Sequence, residues 1–115
     1  MSTDALSRTL SALADPTRRA ILAQLALGEA SVAELAQPFN IGVRAVSKHI
    51  SVLERAGLVS KARDAQRRPS RLQLAPLRDV DEWLATYRRL WNSRFDNVAN
   101  VLARIKKGEL DDPRE

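Results

Sequence analysis

The chain contains no cysteine. A disulfide framework, a thiolate metal site and a thiol redox switch are therefore excluded. Histidine occurs once, at His49, so a pair of imidazoles is unavailable for catalysis or for zinc. There is no glycine-rich phosphate loop and no nucleophile elbow. An enzyme is accordingly not expected, and no cofactor or metal is expected either. No stretch approaches the ~20 apolar residues of a membrane span. The opening Met1-Ser2-Thr3-Asp4 brings an acid early and lacks the apolar run of a secretory leader. Internal repeats and low-complexity linkers are also missing. These absences lead us to expect a cytoplasmic chain that does not engage a membrane.

What is present suits a small globular domain. The chain has 115 residues, of which 44% are hydrophobic, enough for one modest core. Nineteen basic side chains face 14 acidic ones, for a formal charge of +5. The excess is concentrated. Between Ile41 and Leu74 stand Arg44, Lys48, Arg55, Lys61, Arg63, Arg67, Arg68 and Arg71, opposed only by Glu54 and Asp64. One contiguous third of the sequence thus holds the positive charge, as expected for a surface that meets phosphates.

Helix punctuation is dense. Leu6, Leu10 and Leu13 recur at helical spacing and predict a first helix. Asp15-Pro16 reads as an N-cap followed by proline at the first helical position. Ile21, Leu22, Leu25 and Ala26 form the inward stripe of this second helix, and Gly28 is the expected left-handed stop. Ser31-Val32-Ala33-Glu34 is a capping box that opens a short third helix. Val32, Leu35, Ala36 and Phe39 face inward there. A break from Pro38 to Gly42 leads into a fourth helix, about Val43 to Ala56, with Val46, Ile50 and Leu53 on its core side and Gly57 at its end. Leu58–Arg63 and Ser70–Leu74 read as two strands of a hairpin with an arginine-bearing tip. Pro76 opens a long helix to about Lys107. Val80, Leu84, Tyr87, Trp91, Phe95, Val98, Leu102 and Ile105 repeat along it every three or four residues.

The order is helix, helix, short helix, turn, helix, hairpin, long helix. The third and fourth helices form a helix-turn-helix. In that motif the second helix enters the major groove and presents its N-terminal side chains to the bases. Here these are Val43, Arg44, Ser47 and Lys48. Arg44 has the bidentate geometry for guanine N7 and O6. Lys48 suits a phosphate, whereas Ser47 either contacts DNA or bonds within its own helix. The hairpin would be a wing, with Arg67 and Arg68 at its tip directed to the DNA backbone. The alternative is a solvated turn. Arg63 and Arg71 are weaker candidates. Arg18 and Arg19 are further candidates for backbone contact, the alternative being an ion pair with a nearby carboxylate.

Two runs resemble the ArsR/SmtB family of repressors. One is Leu13-Ala14-Asp15-Pro16-Thr17-Arg18-Arg19-Ala20-Ile21-Leu22. The other is Ala45-Val46-Ser47-Lys48-His49-Ile50-Ser51-Val52-Leu53-Glu54-Arg55-Ala56-Gly57-Leu58-Val59. The resemblance covers about residues 5 to 105. It implies a fold that is mainly α with a small β-hairpin wing, and a homodimer closed by the first and last helices on duplex DNA. Such a dimer would repress from an inverted-repeat operator. It also implies a phosphate contact for His49, for which packing between helices is the alternative. The interface expected from the resemblance and the apolar stripe comprises Leu6, Leu10, Leu84, Tyr87, Trp91, Phe95 and Val98. A ligand pocket is the other reading of the stripe's aromatic residues, Trp83 included.

Family members that sense metals carry thiolates at positions that fall here on Ser31 and Ala33. Others use histidine and carboxylates on the last helix, where this chain has Asp79, Asp81, Glu82 and Asp96 but no histidine. The chain therefore resembles the metal-independent branch, with a small-molecule or protein effector left open as a partner. On this reading residues 1–110 form a single winged helix-turn-helix domain. Residues 31–57 are the helix-turn-helix, 58–74 the wing, 76–107 the dimerisation helix and 111–115 a tail. A winged-helix module that binds proteins instead of DNA is the competing interpretation.

Overall fold

In the computed structural model, which describes residues 4–62, 68–106 and 108 and only the backbone of 95 and 96, the chain opens on a capped helix. The Asp4 carboxylate accepts the Ser7 N–H at 2.6 Å and starts α1 (Ala5–Leu13). Asp15 does the same for α2 (Pro16–Leu25), taking the Arg18 N–H at 3.0 Å. At α3 (Val32–Ala36) the capping box is complete. Ser31 accepts from the Glu34 N–H at 3.2 Å, and Glu34 accepts from the Ser31 N–H at 3.3 Å. Each cap satisfies donors that a helix start would otherwise leave open.

α4 (Val43–Arg55) follows the turn, then β1 (Val59–Lys61), β2 (Ser70–Leu72) and α5 (Ala75–Lys106). The strands pair antiparallel, Val59 with Leu72 and Lys61 with Ser70. Both strands are shorter than the alternation suggested, but hydrogen bonds from Ala62 to Pro69 and from Gln73 to Leu58, each 2.8 Å, extend the ribbon at both ends. The join between α4 and β1 is a Schellman motif. Gly57 adopts φ +77°, its N–H bonds to the Glu54 carbonyl, and the Leu58 N–H bonds to the Leu53 carbonyl, both at 2.9 Å.

Two details differ from expectation in α2. The helix ends at Leu25, so Ala26 becomes its exposed C-cap instead of a core residue. Gly28 lies beyond that stop at φ +151°, outside the left-handed helical region.

The chain divides into two compact units between Val80 and Asp81. The first contains α1 to α4, the hairpin and the start of α5. Its core is contributed by Ala12, by Ile21, Leu22 and Leu25 of α2, and by Leu35 and Ala36 of α3. Val46, Ile50 and Leu53 of α4 complete it with Leu58 and Val59. α1 turns its small residues inward: Thr9 and Ala12 are buried, and the Thr9 hydroxyl bonds back to the Ala5 carbonyl at 3.0 Å. The second unit is the rest of α5. There Trp83 and Tyr87, one turn apart, meet edge to face with centroids 5.6 Å apart, and Arg88 pairs with Asp81 at 2.6 Å.

Candidate nucleic-acid interface

α4 has two chemically opposite sides. Val46, Ile50 and Leu53 are fully buried, each contributing about 1.5–3 kcal/mol through removal from water. They fix the helix's rotation. On the opposite side Arg44, Lys48, Ser51 and Arg55 are exposed, and their four-three-four spacing aligns them in one stripe. Val43, at the first turn, is 52% exposed. Ser47 is half-buried at the edge of the stripe. The N-cap is Gly42, which offers no side-chain acceptor, and the first turn contains no acid. The amide dipoles at this end are therefore not offset by a cap or a carboxylate of the first turn, which favours an anion nearby.

Both strands of the wing meet the body: the first buries Val59 in the core, and the second pairs through its backbone. Ala30 and Ser70 exchange backbone hydrogen bonds of 3.1 and 2.8 Å, an isolated bridge that the sequence did not signal. Arg71 pairs with Glu29 beside it, and Lys61 lies 3.7 Å from Glu54. These two cations thus tie the wing to its surroundings. Arg68 is exposed and adopts φ +41°. Arg63 and Arg67 lie outside the described residues. Ser70 is fully buried, and its hydroxyl has no hydrogen-bond partner among the described residues.

The corner between α1 and α2 is built from charge. Arg18 donates from Nε to the Ala12 carbonyl at 2.7 Å and from Nη2 to the Ser11 carbonyl at 3.2 Å. Arg19 donates to the Leu13 carbonyl at 2.7 Å and is exposed. Both guanidiniums donate to carbonyls at the end of α1, of which that of Ser11 also accepts the Ala14 N–H at 3.2 Å. Arg18 also reaches α4: its Nη1 lies 3.4 Å from Nδ1 of His49. Asp15 Oδ2 is 3.9 Å from the same nitrogen. The Asp15 carboxyl is held below the usual carboxylate range, chiefly by the Arg18 N–H, with His49 and the Arg18 charge adding to it. His49 itself is half-buried between the helices. Sequence reasoning placed Arg18 near DNA or a carboxylate. It missed the link to His49, because residues 31 positions apart have no local spacing to signal it.

Along α1, Leu6 is half-buried and Leu10 partly exposed. Along α5, Leu84 is half-buried, whereas Tyr87, Trp91 and Val98 are exposed. The Phe95 side chain lies outside the described residues. Among the described residues no group of three or more His, Cys, Asp or Glu could hold a metal ion. No described helix is long and apolar enough to cross a membrane.

A helix-turn-helix packed on two further helices and followed by a two-stranded wing defines a winged helix-turn-helix protein. Comparison with known proteins agrees. The family model described as a helix-turn-helix domain matches residues 13–61. The transcriptional repressor SdpR of Bacillus subtilis is 30% identical over 82 residues, spanning 71% of this chain and 91% of SdpR. The crystal structure of an ArsR family transcriptional regulator superposes with a TM-score of 0.70 at 38% identity, over 77% of this chain and 98% of that one. The solution structure of a homodimeric winged helix-turn-helix DNA-binding domain from Mycobacterium bovis gives a TM-score of 0.58 at 26% identity, over 82% of this chain and 84% of that one. The chain belongs to the ArsR family of transcriptional regulators.

Proposed function

We propose that this regulator is a homodimeric, metal-independent repressor that occupies an inverted-repeat operator in the cytoplasm. The observation that carries the reading is the two-sided α4, whose buried stripe locks an exposed Arg44–Lys48 face in place. Arg44 reads a guanine edge. Val43 offers an apolar side chain to a thymine methyl, and Ser47 contacts a base edge or phosphate. Lys48, His49, Arg19 and Arg68, together with Arg67 at the wing tip, neutralise or bond phosphates. Phosphate contacts supply most of the affinity, and the base contacts supply the discrimination.

The dimer is attributed to a second copy meeting α5, with Leu6 and Leu10 of α1 contributing. Tyr87, Trp91, Val98 and Leu102 leave a run of large apolar side chains 40–56% exposed, more than a solvated helix normally shows. Homodimerisation of the Mycobacterium bovis domain supports this, as the repressor SdpR supports repression. A two-fold dimer would present two α4 helices about 34 Å apart, one turn of B-DNA. Metal independence rests on the absence of cysteine and on the lack of histidine along α5. A small-molecule or protein effector is the candidate agent of release.

Selection of bound fragments from random duplex DNA tests this reading. Enrichment of an inverted repeat with half-sites about one helical turn apart is the expected result. Binding that depends on salt and enriches no sequence would favour the protein-interaction module instead.

A further inference from the structure

His49 is the only histidine in the chain, and two groups from the start of α2 converge on one of its ring nitrogens. Arg18 Nη1 approaches Nδ1 at 3.4 Å with hydrogen-bond geometry. A guanidinium can only donate, so Nδ1 must accept. An accepting Nδ1 makes the imidazole neutral and leaves its single proton on Nε2. Asp15 Oδ2, at 3.9 Å from Nδ1, is too far to take a proton in a hydrogen bond, so it does not compete for the other tautomer. It offsets the Arg18 charge and holds the Arg18 N–H at 3.0 Å.

Arg18 is not free to swing away. Its Nε and Nη2 are held by the Ala12 and Ser11 carbonyls at 2.7 and 3.2 Å. The plane of the guanidinium, and therefore the direction of its third bond, is set by the end of α1. With Nδ1 engaged at this corner, Nε2 is the ring nitrogen left for another partner, and the side chain keeps 24% of its surface accessible. Its sequence neighbour is Lys48, on the exposed side of α4.

We infer that Arg18 is a positioning residue that fixes His49 as the Nε2–H tautomer, so that α4 offers a neutral hydrogen-bond donor to a DNA phosphate beside the cationic Lys48. The phosphate half of this statement rests on the proposed function, whereas the tautomer does not. A neutral donor strengthens binding without releasing a counterion. His49 and Lys48 therefore differ in how they respond to salt.

With one histidine, the imidazole signals of the full-length 15N-labelled chain need no assignment. Two-bond proton–nitrogen correlation near pH 7.5 is expected to show a neutral ring protonated at Nε2. In Arg18→Gln and Arg18→Lys, with folding verified by thermal melting, that preference should weaken toward a mixture. On the selected operator, His49→Gln, whose amide nitrogen can stand in for Nε2, should keep affinity within about threefold, whereas His49→Asn should lose about tenfold. Neither should change the slope of log affinity against log salt. Lys48→Ala should lower that slope by about 0.9. A wild-type ring protonated at Nδ1, or an imidazolium, overturns the inference. So does an equal loss from the Gln and Asn variants, or a fall of about one in the slope of either. If the wild-type chain binds no duplex DNA, the functional reading fails while the spectrum still decides the tautomer.

Discussion

Replacing Gly57 with alanine should destabilise the winged-helix unit by about 1–2 kcal/mol, the cost of holding a Cβ-bearing residue in the left-handed region. The magnitude follows from two facts. Gly57 adopts φ +77°, and the bonds from its own N–H and from the Leu58 N–H to the carbonyls of Glu54 and Leu53, each 2.9 Å, require that conformation. A Cβ at this position would approach Cγ of Pro76 at 3.4 Å, ordinary van der Waals contact, so no steric clash adds to the backbone penalty. For a domain of this size that free energy corresponds to a fall in Tm of roughly 5–15 °C. Thermal melting followed by circular dichroism would measure it. Asparagine, which tolerates the left-handed region better, should lose less than alanine, and valine should lose more. If alanine is neutral, or asparagine and alanine lose equally, the Schellman join between α4 and the wing is not the origin of the glycine.

Other outcomes follow from particular contacts. Ser70→Ala removes a fully buried hydroxyl that has no partner among the described residues, so urea unfolding should show it to be neutral or stabilised by about 1 kcal/mol. The Asp15 carboxyl, lowered first by the Arg18 N–H, contributes stability that is complete above the ordinary carboxylate range. That contribution is lost as pH falls below about 4. Asp15→Asn keeps a good cap and should flatten this acid limb in melts recorded across pH. Trp91→Glu, placing a charge in the exposed run of α5, should raise the dimer dissociation constant at least a hundredfold by sedimentation velocity. An unchanged dimer would remove α5 from the interface.

The local punctuation of the fold was legible in the sequence because its determinants are local. A cap needs a residue and an amide three positions on, which Asp15 and the Ser31–Glu34 box supply. The inward stripe of α4 was legible for the same reason, since Val46, Ile50 and Leu53 share a helix face. The end of α2 was not, because Ala26 is apolar enough to join a stripe and only the observed stop at Leu25 exposes it. Features that join distant segments also escaped. Ala30 pairs with Ser70 through backbone groups alone, which leave no side-chain pattern. Arg71 was weighed for DNA, and only folding brings Glu29 to it. The link from Arg18 to His49 depends on the angle between α2 and α4, a property of packing and not of spacing.

The most direct test compares Arg44→Ala and Lys48→Ala on the selected operator and on random duplex DNA over a range of salt. The account predicts that Arg44→Ala loses about 1–3 kcal/mol on the operator, relaxes preference at one base pair and changes random binding little. Lys48→Ala should weaken both DNAs alike and reduce the salt slope by about 0.9. Equal losses from both variants on random DNA, with base preference unchanged, would contradict the claim that the exposed face of α4 reads sequence.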